Sequence, residues 1–148
     1  HRKSSPVSVL LGLHSSHSRY EVKEAEEKEP IVAGQVYVAP PGYHLLVEKD
    51  HTFSFDLSEK VNFSRPSIDV TFESVAEVYG DKAVALLLSG GNNDGAEGLK
   101  KIYRYGGYCI IQDPVTADVP FMPQFALSEV RPHKVLDKQE IPAFLSLL

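Results

Sequence analysis

The chain has 148 residues, a single cysteine, 43% hydrophobic and 24% charged residues, and a formal net charge of -5 at pH 7. That length suits one domain with its own core, and the acidic balance argues against nucleic acid as a partner, which would ask for a basic face. No apolar run nears the roughly 20 residues that span a bilayer, and HRKSSPVSV lacks the apolar region and cleavage site of a secretory signal, so neither membrane insertion nor export is expected.

Ser5 followed by Pro6 has the form of an N-cap with proline at the first helical position. Val7, Leu10, Leu11 and His14 follow at helical spacing, which predicts a helix over 6–17; a strand through VSVLLGL is the alternative. EVKEAEEKEPIVAGQVYVAP holds two short extended pieces, punctuated by Pro30 and Gly34. LLVE and TFSFDL alternate about a Lys49-Asp50-His51 turn and predict a β-hairpin. Pro66 opens a helix with Ser64 or Arg65 near its cap, a core stripe of Ile68, Phe72, Val75, Ala76 and Tyr79, and a stop at Gly80.

From there strand, turn and helix repeat. AVALLLS is a continuous apolar strand, GAEGLKKIYRYGG a helix closed by Gly106 and Gly107, and YCIIQD the next strand. A loop PVTADVPFMP precedes a helix through PQFALSEV, then a short VL strand and a helix from about Gln139. This order predicts an α/β fold: a doubly wound, mostly parallel, Rossmann-like three-layer sheet with an inserted β-hairpin. Cys109 lies inside the apolar YCII run and reads as a buried, inert thiol.

Ligands of open parallel sheets sit at the carboxyl ends of the strands, and SGGNNDG is such an end. Gly90 and Gly91 bring backbone amides to a ligand with no Cβ in the way, and such amides can stabilise an oxyanion. Asp94 is placed either to cap the helix that follows or to accept a bond from a histidine N–H. The loop is not a P-loop, because the Lys and Ser/Thr of that motif are absent. His14 and His17 are three apart with no third ligand at a sensible spacing, so no metal is expected there.

Four phrases in order, VKEAEEKEPIVAGQVYVAPPGYHLLV, SRPSIDVTFESVAEVYG, LLLSGGNNDGAEGL and IIQDPVTADVPFMPQFAL, resemble the catalytic domain of the CheB-type protein-glutamate methylesterases of bacterial chemotaxis. The resemblance runs from about Val22 to about Val130. It implies a serine esterase that cleaves glutamate methyl esters on chemoreceptors and deamidates glutamine, by a Ser-His-Asp triad and with no cofactor. It places Asp94 on the triad aspartate and Gly91 on an oxyanion amide, where the family phrase usually carries Met; Ser89 stands where it usually carries Thr.

For the histidine, counting back from Val22 over the helix lands on His1, while His14 takes that place if VSVLLGL is the strand. The family's serine lies on a glycine-rich turn well before the histidine, a context that HRKSSPV does not offer. Ser89 follows a strand and enters a helix, but its flanks are not G-x-S-x-G. The expectation is that the first strands and the serine lie upstream of residues 1–148, or that the chain is a catalytically silent CheB-like module that binds a receptor or signalling partner. Arg65 either meets an acidic substrate group or braces its helix, Met122 walls the site, and His44 is structural. The implied partners are cytoplasmic segments of methylated chemoreceptors, with a response-regulator domain compatible in the parent protein, and the implied compartment is the cytoplasm.

Overall fold

A computed structural model describes residues 20–147. His1, His14, His17 and the expected helix over 6–17 lie outside the described residues.

Two short strands open the described part: β1 (Glu21–Glu24) and β2 (Gln35–Val38) pair in parallel, with Glu21 opposite Gln35. The predicted hairpin follows as β3 (His44–Val47) and β4 (Phe53–Asp56), antiparallel. One edge of β3 faces the helix α1 (Ile68–Tyr79), and two helix hydroxyls serve it. Thr71 Oγ1 donates to the Leu45 carbonyl at 2.8 Å and Ser74 Oγ accepts from the Val47 N–H at 3.0 Å, so this strand edge is not left unpaired.

The α1 stripe packs as its spacing predicts, with Ala76 fully buried and Ile68, Phe72, Val75 and Tyr79 against the same cluster. Its stop is Gly80, whose N–H returns to the Ala76 carbonyl. The start differs from expectation. The N-cap is Ser67, extended at φ -104° and ψ 140°, and not Ser64 or Arg65. A serine beyond the proline supplies the hydroxyl that accepts from Val70, and this side-chain capping decides the boundary.

The repeat that follows is β5 (Val84–Leu87), α2 (Ala96–Arg104), β6 (Tyr108–Gln112), α3 (Phe121–Glu129), β7 (Lys134–Leu136) and α4 (Ile141–Leu145). The three strands form one parallel sheet in the order β5-β6-β7. Alternate residues go to opposite faces. Ala85, Leu87, Cys109 and Ile111 pack with Ala76, Leu99, Ile102, Met122 and Ala126 on one side. Leu86, Ile110 and Leu136 pack with Ile141 and Phe144 of α4 on the other. Helices therefore cover both faces, which is the doubly wound α/β arrangement.

The strands β1-β2 and the hairpin form separate small sheets among the described residues. Helix α3 begins at Phe121, earlier than predicted, and takes Met122 and Pro123 into its first turn. Proline is tolerated there because first-turn N–H groups have no acceptor within the helix. Cys109 is fully buried, and burial pushes its thiol up to about 11, in keeping with an inert role.

Helices α1 and α2 cross at Gly98, where a β-carbon would sit 2.6 Å from Phe72 Cβ and 3.0 Å from the Asp69 Cα. The second contact is backbone and cannot rotate away. Gly98→Ala is expected to destabilise the protein by about 1–3 kcal/mol, the usual cost of overpacking, although alanine is the better helix former. Urea unfolding monitored by circular dichroism checks this; equal or greater stability for the variant contradicts it.

Candidate active site

The loop between Leu87 and Ala96 leaves the carboxyl end of β5, and Asp94 at its end is fully buried. Asp94 does not cap the helix that follows it. Its Oδ2 accepts the Ile68 N–H at 2.7 Å, and its Oδ1 accepts the Ser67 hydroxyl at 2.7 Å and the Asp69 N–H at 3.1 Å. Asn62 Nδ2 stands at 3.5 Å from the same Oδ1. Those donors belong to the N-terminus of α1, so the carboxylate sits where a helix concentrates partial positive charge.

The exchange is reciprocal. Asp69, in the first turn of α1, accepts the Gly98 N–H of the first turn of α2 at 2.7 Å. Gly95, the N-cap of α2, has no side chain to do this. It cannot be exchanged for a capping residue: its φ is +96°, and a Cβ would lie 2.5 Å from Leu87 Cδ1. Each helix is thus capped by a carboxylate carried beside the other. Burial, then the Asp94 carboxylate beside it, pushes the Asp69 carboxyl up to about 6.

Side-chain amides hold the rest of the loop. Asn92 Oδ1 accepts the Asp94 N–H at 3.1 Å, and Asn92 Nδ2 donates to the Asn62 carbonyl and the Ser64 hydroxyl, each at 3.1 Å. The Ser89 N–H donates to Gln112 Oε1 at 2.9 Å. The two glycines, read alike in the sequence, differ. The Gly90 N–H is spent on the Val119 carbonyl at 3.0 Å, and the Met122 N–H returns to the Gly90 carbonyl at 2.9 Å. Gly91 is exposed, and among the described residues no group accepts its N–H.

Met122 is buried against Gly90, where a β-carbon would be 2.4 Å from its Cε. Arg65 turns to its own loop, Nη1 donating to the Leu57 and Ser58 carbonyls at 2.7 Å each, while its Nε is buried without a partner among the described residues. His44 is fully buried, with Nδ1 accepting the Ser67 N–H at 3.2 Å and Nε2 at 2.9 Å from the Glu59 carbonyl. That pairing sets the proton on Nε2 and fixes the ring as a brace behind the α1 cap. No group of three metal-ligating side chains occurs among the described residues. Asn62 was not singled out by the sequence, because no spacing links it to residues some 30 positions away.

A family model described as CheB methylesterase matches residues 1–145. The chain belongs to the CheB methylesterase family. A Leptospira interrogans protein named for glutamate methylesterase and glutamine glutaminase activity is 56% identical over 121 residues, covering 82% of the chain and 63% of that protein. The protein-glutamate methylesterase/protein-glutamine glutaminase of Thermotoga maritima is 38% identical over 138 residues, which span 40% of its length. The crystal structure of the Thermotoga maritima CheB methylesterase catalytic domain superposes with a TM-score of 0.92 at 35% identity, over 100% of this chain and 80% of that one. The chain spans less than two thirds of these two curated relatives.

The raised Asp69 carboxyl has a consequence for stability. Its proton is held more tightly in the folded chain than in the unfolded one, where the ordinary value is 3.8. Its contribution therefore favours folding most below about pH 4 and is lost as pH rises through about 6. The difference in unfolding free energy between wild type and Asp69→Asn is expected to shift by up to about 3 kcal/mol across that window and then level off. Urea unfolding of both proteins from pH 4 to 8 checks it; parallel curves contradict it.

Proposed function

We propose that the protein containing this chain hydrolyses glutamate γ-methyl esters on cytoplasmic segments of methylated chemoreceptors, and deamidates glutamine there, with Asp94 as the acid of a Ser-His-Asp triad. One observation carries the reading: a fully buried carboxylate, pinned by the N-terminus of α1 at the carboxyl end of β5, shares its loop with the Gly91 N–H, which no group accepts among the described residues. Relatives named for the same two activities support it. In this reading the serine comes from residues ahead of His1, and His1 supplies the imidazole, with His14 the alternative.

In this reading the chemistry runs as acyl transfer. The serine hydroxyl attacks the ester carbonyl while the imidazole takes its proton, and the resulting oxyanion is met by the Gly91 N–H. Collapse expels methanol, which receives the proton from the imidazolium, and water then cleaves the acyl-enzyme by the same steps. For a glutamine the leaving group is ammonia. Asp94 holds the imidazole in the productive tautomer and offsets the charge of the imidazolium. The tight bonds to Ile68 and Ser67 leave the carboxylate little freedom to swing, and this rigidity gives the imidazole a fixed orientation. Met122 backs the wall behind Gly90. Arg65, bonded to the Leu57 and Ser58 carbonyls, takes the role of a brace for its loop in this reading.

Methanol release from methylated receptor by the full-length protein, wild type against Asp94→Asn, tests this. Turnover is expected to fall by about 10⁴-fold, since an amide favours the wrong imidazole tautomer. The same amide also places an N–H₂ toward one of the α1 donors, so a stability loss of about 1–3 kcal/mol accompanies it. Assays are therefore run well below the melting temperature of the variant, with circular dichroism confirming the fold. Equal turnover would reduce Asp94 to a helix cap and leave a cleft that docks a signalling partner without catalysis.

A further inference from the structure

The segment 57–65, which joins β4 to α1, contains a tight turn. Val61 and Ser64 exchange backbone bonds across it: the Ser64 N–H donates to the Val61 carbonyl at 2.8 Å and the Val61 N–H to the Ser64 carbonyl at 3.2 Å. Asn62 and Phe63 between them both have positive φ, +49° and +64°. Two-residue turns of this kind favour glycine or asparagine at their centre, with Asn-Gly the usual pair. Asn62 meets that preference. Phe63 stands where the turn asks for glycine, in a region of backbone space that bulky side chains avoid.

We propose that Phe63 is a substrate-specificity residue, whose ring contacts an apolar side chain of the receptor segment that carries the glutamyl ester. The identity of that segment rests on the esterase reading, and the contact itself on the turn.

Two costs meet at this residue, and nothing in the described fold offsets either. Among the described residues four that are not glycine have positive φ, namely Lys28, His51, Asn62 and Phe63, and only Phe63 is apolar. Its side chain is also the most exposed of the large hydrophobic residues described, at 93%. An exposed apolar side chain alone calls for no explanation, since any protein surface has many. A bulky one held in left-handed backbone and left in water is unfavourable twice, through strain and through lack of burial. Glycine or asparagine would suit the turn better, so the gain from the ring comes from what it meets outside this fold.

The turn belongs to the site. Asn92, two residues before Asp94, donates through Nδ2 to the Asn62 carbonyl and to Ser64 Oγ, each at 3.1 Å, which ties the turn to the loop that carries the Gly91 N–H. Asn62 Nδ2 donates to Asp69 Oδ2 at 2.8 Å and stands 3.5 Å from Asp94 Oδ1. The polar groups of the turn are thus spent on the catalytic loop and α1, and the Phe63 ring is what the turn offers to a ligand. Val119, half-exposed, flanks Gly91 as well, its Cγ1 3.8 Å from where a Gly91 β-carbon would lie. A methyl ester is uncharged, so a segment bearing it meets these apolar flanks without burying a charge. The ring offers no charge and no amide, and what it selects is an apolar neighbour of the ester. Such a contact, away from the reacting atoms, sets where the ester lies against the Gly91 N–H.

The test is binding and turnover by the full-length protein with a purified, methylated cytoplasmic fragment of a chemoreceptor, comparing wild type, Phe63→Ala and Phe63→Gly. Alanine removes the ring and keeps the strained backbone, whereas glycine removes both. Each variant is expected to bind the fragment about tenfold or more weakly, the worth of one buried aromatic ring. KM for methanol release should rise by a similar factor while kcat stays within about twofold. Phe63→Gly is expected to unfold at a urea concentration no lower than wild type, because the turn is relieved and the lost ring packs on nothing. Unchanged Kd and KM in both variants overturn the proposal, as does a fall in kcat alone, which would make the ring a support of the catalytic loop. A lower unfolding midpoint for Phe63→Gly also overturns it, by showing the ring buried against another part of its own chain. Binding is read without turnover, so a protein that holds the fragment through Phe63 but releases no methanol would fail as an esterase while keeping this contact.

Discussion

Helices α1 and α2 each begin without a sufficient cap of their own, and each is completed by a carboxylate from beside the other. Ser67 reaches only Val70, at 3.5 Å, and Gly95 has no side chain. Asp94 takes the Ile68 and Asp69 N–H groups, while Asp69 takes that of Gly98. The crossing must be close for this exchange, and Gly98 is what lets it be close, since any β-carbon there meets the backbone of Asp69. The position of Asp94 at the end of β5 is thereby set from two sides, by its own strand and by a helix that starts some 25 residues earlier.

The rest of the site is arranged around that fixed carboxylate. Asn92 ties the β5–α2 loop to the segment before α1 through Asn62 and Ser64, and Arg65 ties that segment to Leu57 and Ser58. On the other side, Gly90 exchanges two backbone bonds with Val119 and Met122, which anchors the loop to the start of α3. Between these anchors the Gly91 N–H is left open among the described residues. A rigid acid and an open amide on one loop are what acyl transfer asks of a protein scaffold, since neither then needs to reorganise as charge develops.

The elements of the fold were largely legible because their signals are local. The hairpin showed in period-2 alternation, the α1 core in its 3.6-residue stripe, and the sheet in the repeat of apolar strand, turn and helix. Capping was read less well, for a physical reason. The sequence suggests that a residue caps the helix it precedes, and so offers Asp94 as a cap of α2 or as a partner for histidine. It caps α1 instead, a tertiary choice with no sequence spacing to reveal it. The same holds for Asn62 and for the division between Gly90 and Gly91, where only the seating of Val119 and Met122 decides which amide is spent. Ser67 and Asp69 lie inside the phrase SRPSID, and their roles appear only when the two helices cross.

The chain belongs to the CheB methylesterase family, and the central claim of the proposed function is that one carboxylate both caps α1 and orients a catalytic imidazole. The most direct measurement is a crystal structure of the full-length protein trapped with an organophosphonate that reacts with its serine. The account predicts an imidazole between that serine and Asp94, Asp94 still bonded to the Ile68 N–H, and the phosphonyl oxygen within hydrogen-bond distance of the Gly91 N–H. An adduct whose imidazole is oriented by another group, with Asp94 bonded to α1 alone, would contradict it.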